Sequence, residues 1–381
     1  MESTATMAAA TGVEDAPPHH GLPDEIIIWE ILVHLPFKSL LRCRGVSRAW
    51  RCATSTRDFL LAHHARQPTL PLLCRYHKRS LDILTFDHRA AADDQLQPVA
   101  RLDSALFNLH ASCDGLIIIS DRRGRRRRFS ICNPTTPRGV TYAPLQQLDE
   151  FTKDDDLTIL GMYPHVPTGK YRLVGKLRVE TDDLYGNYYA VFTLGSSQPP
   201  RPIGGPDEWV LDAPILFNDS MHWYVWDMLM VFDTIAETFR EMRHPIVPSG
   251  DVDLFESGGT LGISRFDERA AAVDIWMMQD YDAEVWAFRH RVELPVAELI
   301  KQFGPYSEHW TVLIPSWNGE VFGLVKFNDW LLQIDIDAKV ISRFHHHERL
   351  VIYPFCVQQT LLPHAFFPTL EGYVVNESPF T

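Results

Sequence analysis

Short apolar runs recur along most of the chain, and their spacing limits the possible folds more than any other feature of the sequence. Each run holds four to six residues and is often closed by Asp or Asn. Such runs indicate buried strands. The runs are Ile83–Asp87, Phe129–Asn133, Tyr188–Thr193, Met230–Asp233, Val285–Phe288 and Leu332–Asp335. One marker residue per run gives intervals of 40 to 60 residues, with a mean of about 50; the markers are Phe86, Cys132, Phe192, Phe232, Phe288 and Ile334.

Further strand candidates with turn signals lie between these runs. Asp114–Gly115 and Asn318–Gly319 are strong hairpin signals, because both central residues of such a turn need positive φ; a third turn is expected at Asn218. Four strands about every 50 residues predict propeller blades of kelch-type length. Residues 68–381 leave room for six blades, with residues 373–376 either closing the ring or belonging to another blade. The alternative is a β-sandwich with irregular strand spacing.

The segment Leu22–Pro36 predicts a short helix with an unusual surface. Pro23 suits the first helical turn, and Asp24 and Glu25 place negative charge at the positive end of the helix dipole. Eight of the ten residues from Ile26 to Leu35 are apolar, whereas a surface helix needs a single apolar stripe. More than one face of this helix must therefore be covered.

Two more short helices, Phe37–Arg42 and Val46–Ala53, and a last turn from Phe59 are expected before Pro68. A unit of about 45 residues is near the lower size limit for independent folding. Its surplus apolar surface predicts that it docks on the rest of the chain or on a partner protein.

The ordered residues of this unit resemble the F-box motif. They are Leu22–Glu25, Ile31, Leu32, Leu35, Pro36, Leu40, Arg42, Val46–Trp50 and Phe59. The resemblance covers residues 22 to about 66 and implies a bundle of short helices that grips a Skp-type adaptor and thereby a cullin–RING ubiquitin ligase. The adaptor-binding residues that it implies are Leu22, Pro23, Ile31, Leu32, Leu35, Pro36, Leu40, Val46 and Trp50. An internal core role is the alternative for Val46 and Trp50, and a helical cap packed on the second domain is the alternative for the unit.

The strand-rich part resembles the plant F-box-associated domain, a family that implies recruitment of a substrate. The motifs that follow that family's order are Cys113–Leu116, Asn133–Thr136, Tyr171–Val174, Met221–Trp223, Phe232–Thr234, Thr238–Arg240 and Val273–Met277. One departure is Asp219-Ser220, where the family often has Gly, so the turn at Asn218 is open to a different type.

These observations predict an α+β multidomain chain. We expect a disordered tail over residues 1–20, a small helical F-box domain over residues 21–66 and an all-β, propeller-like F-box-associated domain over residues 67–381.

Charge and cysteine usage narrow the functional class. The chain has 36 basic and 49 acidic residues and a net charge of −13; residues 22–66 carry +3 and the remainder −16. A basic helical unit suits an acidic adaptor because charge steers association, while overall acidity argues against general nucleic-acid binding. The six cysteines are scattered and form no C-x-x-C pair, which is typical of reduced thiols. The sequence also has no apolar stretch long enough to span a membrane and no signal-peptide pattern. We therefore expect the protein to be located in the cytoplasm, the nucleus or both.

Six arginines between two strand candidates predict an exposed hairpin loop. They are Arg122, Arg123, Arg125, Arg126, Arg127 and Arg128. Guanidinium groups pair well with phosphate and carboxylate, so we expect this loop to help bind an acidic or phosphorylated partner segment. A solvated loop and a nuclear import signal are the alternatives.

No pattern in the sequence predicts a metal, a cofactor or a catalytic site. Side chains of His345–His347 alternate between the faces of a strand, and Asp154–Asp156 lack the spacing and glycine of a calcium loop. The catalytic motifs G-x-S-x-G and H-E-x-x-H and a Gly-rich phosphate loop are missing. Core packing is favoured over a peptide-binding face for five tryptophans: Trp223, Trp226, Trp276, Trp286 and Trp317.

The sequence therefore predicts a non-catalytic substrate receptor. The helical unit binds the adaptor, and through it the cullin, while the propeller holds a target protein of unassigned identity. Its contribution is a raised local concentration of the target. Two alternatives are a scaffold that uses the F-box without ubiquitination, and a propeller enzyme with a helical cap, which needs a polar pocket holding a perturbed acid or base.

Overall fold

The computed structural model describes most of the chain. The described residues are 22–91, 94–123, 126–134, 141–151, 157–181, 184–206, 213–225, 227–246, 250–305, 310–314, 316–317, 320–321, 323–362, 364 and 366. The chain divides into two compact units, residues 1–66 and 67–381. The predicted tail over residues 1–20 lies outside the described residues. Among the helices that the structure describes, none is long and apolar enough to cross a membrane.

The first unit consists of short helices joined by tight turns. Its elements are α1 (Asp24–Ile26), a π-helical turn (Ile27–Ile31), a 3₁₀ turn (Leu32–His34), α2 (Phe37–Val46), α3 (Arg48–Ala53) and α4 (Arg57–His64). Ser47 caps α3 by accepting the backbone N–H of Trp50 at 3.2 Å, and Thr56 caps α4 by accepting that of Phe59 at 3.4 Å. Helix α2 extends beyond the predicted end at Arg42, so Val46 ends α2 instead of starting the next helix.

The second unit is a ring of antiparallel sheets. Its strands are β1 (Thr69–Tyr76), β2 (Leu81–Phe86), β3 (Leu96–Leu102), β4 (Phe107–Cys113), β5 (Leu116–Arg123), β6 (Arg126–Asn133), β7 (Thr141–Pro144), β8 (Leu157–His165), β9 (Lys170–Thr181), β10 (Leu184–Thr193), β11 (Arg201–Ile203), β12 (Ile215–Phe217), β13 (Ser220–Val225), β14 (Met228–Asp233), β15 (Thr238–Met242), β16 (Asp251–Ser257), β17 (Thr260–Asp267), β18 (Ala272–Asp280), β19 (Val285–Glu293), β20 (Thr311–Leu313), β21 (Ser316–Trp317), β22 (Glu320–Val321), β23 (Gly323–Phe327), β24 (Trp330–Ile334), β25 (Val340–His345) and β26 (Arg349–Gln358). A 3₁₀ helix (Gln146–Phe151) and α5 (Val296–Phe303) lie between blades.

Within the described residues these strands form six four-stranded blades and one small hairpin, β21–β22. Blade 1 is β26-β1-β2-β3; blades 2 to 5 are β4–β7, β8–β11, β12–β15 and β16–β19; blade 6 is β20-β23-β24-β25. Each blade lists its innermost strand first. The predicted helical unit followed by a six-bladed propeller is confirmed, and the β-sandwich alternative is wrong.

The ring is closed by pairing the last described strand with the first. Strand β26 runs antiparallel to β1, with Leu73 opposite Ile352 and Tyr76 opposite Arg349. The last described strand, β26, thus supplies the innermost strand of blade 1. Residues 373–376, the predicted closing candidate, lie outside the described residues.

The apolar core is divided among the six interfaces between neighbouring blades, one cluster of buried residues at each in the described part of the chain. Trp223 and Phe232 of blade 4, for example, pack with Tyr163 of blade 3. The second and third strands of the blades are therefore buried on both faces, which explains why they read as continuous apolar runs. Trp223 is fully buried and its indole N–H donates to the Leu160 carbonyl at 3.2 Å. Trp226 and the side chain of Trp317 lie outside the described part.

Aspartates that follow several third strands hold the next turn. The Asp233 carboxylate accepts the backbone N–H groups of Ile235 and Ala236, both at 2.8 Å. Asp335 accepts those of Asp337 and Lys339 in the same way. An acidic residue at this position accepts hydrogen bonds from two backbone N–H groups of the turn that would otherwise be unpaired. This accounts for the recurring Asp after the apolar runs.

Two predicted hairpins have the same turn geometry. Asp114 and Gly115 have φ of 48° and 79°, and Asn218 and Asp219 have φ of 48° and 51°. Positive φ at both central residues is typical of the type I′ turn. The turn at Asn218 is therefore of the same type as the turn at Asp114–Gly115, although Asp219 and Ser220 stand where the family often has Gly.

Two strand predictions were wrong in detail. Phe288 lies on β19, the outermost strand of blade 5, whereas the other five markers lie on third strands. Its side chain is exposed, so the apolar run does not mark a buried strand. The strand candidate that follows the Asn318–Gly319 turn signal is divided between the hairpin strand β22 and the blade strand β23.

Candidate functional site

The first helical segment, Asp24–Leu35, has an irregular backbone. The backbone widens at the π-helical turn, where the N–H of Leu32 points to the carbonyls of both Ile27 and Ile28. It then tightens into the 3₁₀ turn and ends at Leu35, which is extended. Such π-turns are frequent at functional sites.

One face of this segment packs inward and the other stays exposed. Leu32 and Val33 are buried, and the 3₁₀ turn packs on α4. The His63 side chain of α4 contacts the Leu35 carbonyl through Nε2 at 3.0 Å and stacks on the Phe59 ring. Burial lowers the pKa of His63, so the neutral ring is favoured at this internal position.

The exposed face carries several large apolar side chains. They are Leu22, Ile26, Trp29 and Ile31, joined on α2 by Val46, which is 81% exposed. The Trp29 ring rests against the buried Phe59 ring at a centroid distance of 5.8 Å. Contact with Phe59 therefore holds this partly exposed indole in place.

The nine predicted adaptor-binding residues fall into three groups. Leu22, Pro23, Ile31, Pro36 and Val46 are exposed; Leu35 and Trp50 are half-buried; Leu32 and Leu40 are buried, at 2% and 0% exposure. The last two are core residues of the folded unit and offer no surface to a partner. Val46 is not a core residue, contrary to the alternative role. Adaptor binding by the exposed residues stays a prediction.

Sequence reasoning missed Ile26 and Trp29 as surface residues. Both belong to the continuous apolar run that drew attention to the segment, but the run does not tell which face is covered. The signal was helical spacing, since Leu22, Ile26 and Trp29 are separated by four and three residues.

The arginine run is mostly strand, which corrects the predicted loop. Arg122 pairs with Arg127, and Arg123 with Arg126, so β5 and β6 continue almost to the connection. Residues 124–125, including Arg125, lie outside the described residues. Arg122 and Arg128 are exposed and Arg127 is half-buried. Binding of an acidic partner by this run stays a prediction.

The three consecutive histidines do not converge. His345 and His347 are exposed and His346 is buried, with its Nδ1 2.9 Å from the Glu348 carbonyl. Groups of three or more metal-ligating side chains are not found in the described part of the chain. Asp154–Asp156 lie outside that part.

Buried polar groups of the propeller join blades. Glu237 in the β14–β15 turn of blade 4 accepts the Tyr163 hydroxyl at 2.7 Å and pairs with Arg172 and Arg201 of blade 3. Its carboxylate is therefore occupied by three partners, which suits a structural link between blades.

Comparisons with known proteins agree with this layout. Residues 20–66 match the family model described as F-box-like. The F-box/kelch-repeat protein At4g19930 of Arabidopsis thaliana is 24% identical over 306 residues, covering 72% of this chain and 70% of that protein. F-box protein At5g49610 is 22% identical, covering 71% and 79%, and F-box protein CPR1 is 23% identical, covering 83% and 82%; both are from Arabidopsis thaliana.

Proposed function

We propose that this chain, which carries an F-box-like domain at residues 20–66 and resembles plant F-box proteins over most of its length, is the substrate-recognition subunit of an SCF-type ubiquitin ligase. F-box domains generally bind Skp1 adaptors within SCF complexes, and F-box proteins generally act there as substrate receptors. In this proposal the helical unit binds the adaptor and through it the cullin, and the propeller recruits a target protein.

The observation that carries the proposal is the exposed apolar face of the helical unit. Large apolar side chains exposed together on so small a unit favour a partner protein, and Leu22, Ile31 and Val46 lie within the match to the F-box-like model. The exposed basic residues Lys38 and Arg42 on α2 add a charge that would steer an acidic adaptor toward this face.

The role is positional and non-catalytic, because a receptor that holds target and ubiquitin-charged enzyme in one complex raises their effective concentration. Action in the cytoplasm, the nucleus or both is part of this proposal. Exposed Arg122 and Arg128 on blade 2 are proposed to help hold an acidic target segment.

The test is co-purification of the full chain with a plant Skp-type adaptor. We expect the wild type to capture the adaptor, and the triple variant Leu22→Ala/Pro23→Ala/Ile31→Ala to lose it. Buried interface anchors commonly contribute on the order of 1–4 kcal/mol each to the free energy of binding. The loss of three of them should therefore weaken the complex enough to abolish capture. Leu32 and Leu40 are left intact because their truncation would unfold the unit.

A matched control truncates three exposed apolar residues of the propeller: Leu106, Val166 and Ile341, each to Ala. This variant should capture the adaptor as the wild type does. A wild-type chain that is folded but captures no Skp-type adaptor would refute the proposal. Target abundance that stays flat when the protein or the proteasome is removed would instead favour the scaffold role.

A further inference from the structure

Two connections rich in basic residues lie at corresponding positions in blades 1 and 2. Residues 77–80 join β1 to β2 in blade 1, and the arginine run, residues 122–128, contains the connection between β5 and β6 in blade 2. Each connection lies where the innermost strand of its blade begins. Tyr76 is paired with Arg349 at the start of β26, and Asp121 is paired with Phe107 at the start of β4.

The chain itself brings these two connections together. Strand β3 ends at Leu102, which is paired with Leu81, the first residue after the connection in blade 1. Strand β4 begins at Phe107, five residues after Leu102. Because five residues span at most about 18 Å, the two connections lie side by side at one edge of the ring. We call this surface the basic edge, after its exposed basic residues: Lys78, Arg79, Arg101, Arg122, Arg128 and Arg349.

Two carboxylates of the basic edge are already engaged. The Arg101 guanidinium donates to Asp82, with Nη2 2.9 Å from Oδ2. His77 lies between two acidic groups, with Nε2 2.8 Å from Asp82 and Nδ1 2.7 Å from Glu348. Hydrogen bonds to both carboxylates raise the pKa of His77, which favours a positive charge between them. The negative charge of this pair is therefore balanced by Arg101 and His77.

Other cations of the basic edge have no anionic partner in the described part of the chain. Lys78, Arg79 and Arg128 form no ion pair there. The Arg349 guanidinium carbon lies over the Tyr76 ring at 5.4 Å from its centroid. Stacking on an aromatic ring fixes the plane of a guanidinium group, while the N–H groups at its rim can still donate to an anion.

The basic edge differs in charge from the rest of the protein. Its segments, residues 75–82, 101–103, 121–128 and 348–349, carry a formal net charge of +7 with their acidic residues included, whereas the remainder of the chain carries −20. Such a surface attracts an anionic partner. A long polyanion such as RNA would extend beyond this edge onto a chain that is otherwise acidic. A short peptide segment matches the charge distribution better.

We propose that the basic edge binds an anionic peptide segment of a target protein. The anionic oxygens accept from Arg128 on blade 2 and from Lys78, Arg79 and Arg349 on blade 1, so that the segment crosses the boundary between the two blades. Acidic and phosphorylated side chains share this chemistry, since arginine binds carboxylate and phosphate alike through paired N–H groups. The inference rests on the receptor function proposed above and adds blade 1 to the arginine run as a contact for the target.

The test measures binding of fluorescein-labelled peptides to the full chain by fluorescence anisotropy. The acidic probe is Gly-Asp-Glu-Asp-Glu-Asp-Gly amide, and the neutral probe has Asn and Gln in place of Asp and Glu. We expect the acidic probe to bind with an affinity that falls as the ionic strength rises, and the neutral probe not to bind. Lys78→Gln/Arg79→Gln and Arg128→Gln should each weaken binding severalfold. Combining them with Arg349→Gln should weaken it about tenfold or more.

The matched control is Arg269→Gln/Arg289→Gln, which removes two exposed positive charges from blade 5 and should keep wild-type affinity. A third probe with phosphoserine in place of Asp separates the sources: tighter binding of this probe indicates a phosphorylated segment, and tighter binding of the Asp probe indicates an acidic one.

Three results would overturn the proposal: no binding of either anionic peptide to folded wild-type protein, equal affinities of the combined variant and the blade 5 control, or tighter binding of an oligouridylate RNA than of both peptides. Adaptor capture is assayed in parallel with the combined variant and should match the wild type. A loss of peptide binding is thereby distinguished from a failure of the receptor function.

Discussion

At the scale of single residues, two histidines make the propeller sensitive to acid, one buried (His222) and one half-buried (His110). His222 is buried in blade 4, where its Nε2 lies 2.8 Å from the Tyr281 hydroxyl. His110 contacts the buried Ser120 hydroxyl at 2.7 Å. Burial lowers the pKa of each imidazole to about 4, compared with about 6.5 in an unfolded chain. Both rings are therefore neutral in the folded protein at pH 5, where the unfolded chain would protonate them.

We predict that the free energy of unfolding falls as the pH drops from about 6.5 to about 4. The unfolded state binds more protons than the folded state in this window, so stability is complete above it and is lost on acidification. His222→Gln should flatten the dependence by one proton, which corresponds to up to about 3 kcal/mol across the window. Urea unfolding at several pH values measures this slope.

The exposed His290 provides the control, and His290→Gln should leave the slope unchanged. An equal slope for His222→Gln and wild type would contradict the assignment.

His77 acts in the opposite direction, because hydrogen bonds to Asp82 and Glu348, at 2.8 and 2.7 Å, raise its pKa. Its contribution is complete below pH 6.5 and is lost as the pH rises through the raised value.

At the scale of elements, the turns after the third strands of blades 4 and 6 depend on an aspartate side chain that the sequence places there. Asp233→Ala removes the acceptor of two backbone N–H groups in the β14–β15 turn. We expect a loss of about 1–2 kcal/mol in the free energy of unfolding, since each intramolecular hydrogen bond contributes about 1 kcal/mol. Chemical unfolding followed by tryptophan fluorescence measures the loss.

Asp337→Ala is the control for this turn prediction. Asp337 lies in the equivalent turn of blade 6, but its side chain is exposed and makes a long surface ion pair of 3.9 Å with Lys339 Nζ. Surface pairs of this kind contribute little, so the change should stay within about 0.5 kcal/mol. Equal losses for the two variants would mean that the Asp233 hydrogen bonds do not stabilise the turn.

Much of the element pattern could be predicted because the second and third strands of the blades are buried on both faces. The runs around Phe86, Phe192 and Ile334 lie on third strands as the spacing predicts. Phe288 could not be separated from them, because an exposed apolar run on an outer strand has the same composition as a buried one. The split between β22 and β23 depends on an inserted hairpin, which short apolar runs do not reveal.

The sequence identified the apolar segment of the helical unit but not which of its faces is exposed. The sequence singles out the segment holding Leu22, Ile31 and Leu32 because it is apolar all round. Burial of Leu32 and exposure of Ile31 follow from the change from π-helical to 3₁₀ backbone between them. That change rotates the side chains away from ideal helical spacing, so a periodicity of 3.6 residues could not assign them.

At the scale of the whole molecule, the ring depends on one strand pairing. Strand β26 joins β1 inside blade 1 and supplies Leu350, Ile352 and Val357 to the clusters on both sides of that blade. Because the apolar core of the described residues is divided among six interfaces between blades, every blade depends on two neighbours.

We predict that a chain ending at Glu348, which lacks β26, loses cooperative unfolding of the entire propeller rather than the stability of blade 1 alone. Opening the ring exposes two apolar interfaces at once. Calorimetry should show no sharp propeller transition. A chain ending after Phe366 keeps every described strand and should retain it. A truncated chain with a wild-type transition would show that closure is dispensable.

The pairing of β26 with β1 also sets an order of events during synthesis. Domains generally fold from the N-terminus as the chain leaves the ribosome. The helical unit is complete once residue 66 has emerged, whereas the ring waits for Gln358, the last residue of β26. For most of the time that the ribosome spends on this chain, the helical unit is complete, whereas β1, β2 and β3 of the propeller still lack β26, the strand that closes the ring. A nascent chain stalled before β26 would therefore display a finished helical unit beside an open ring.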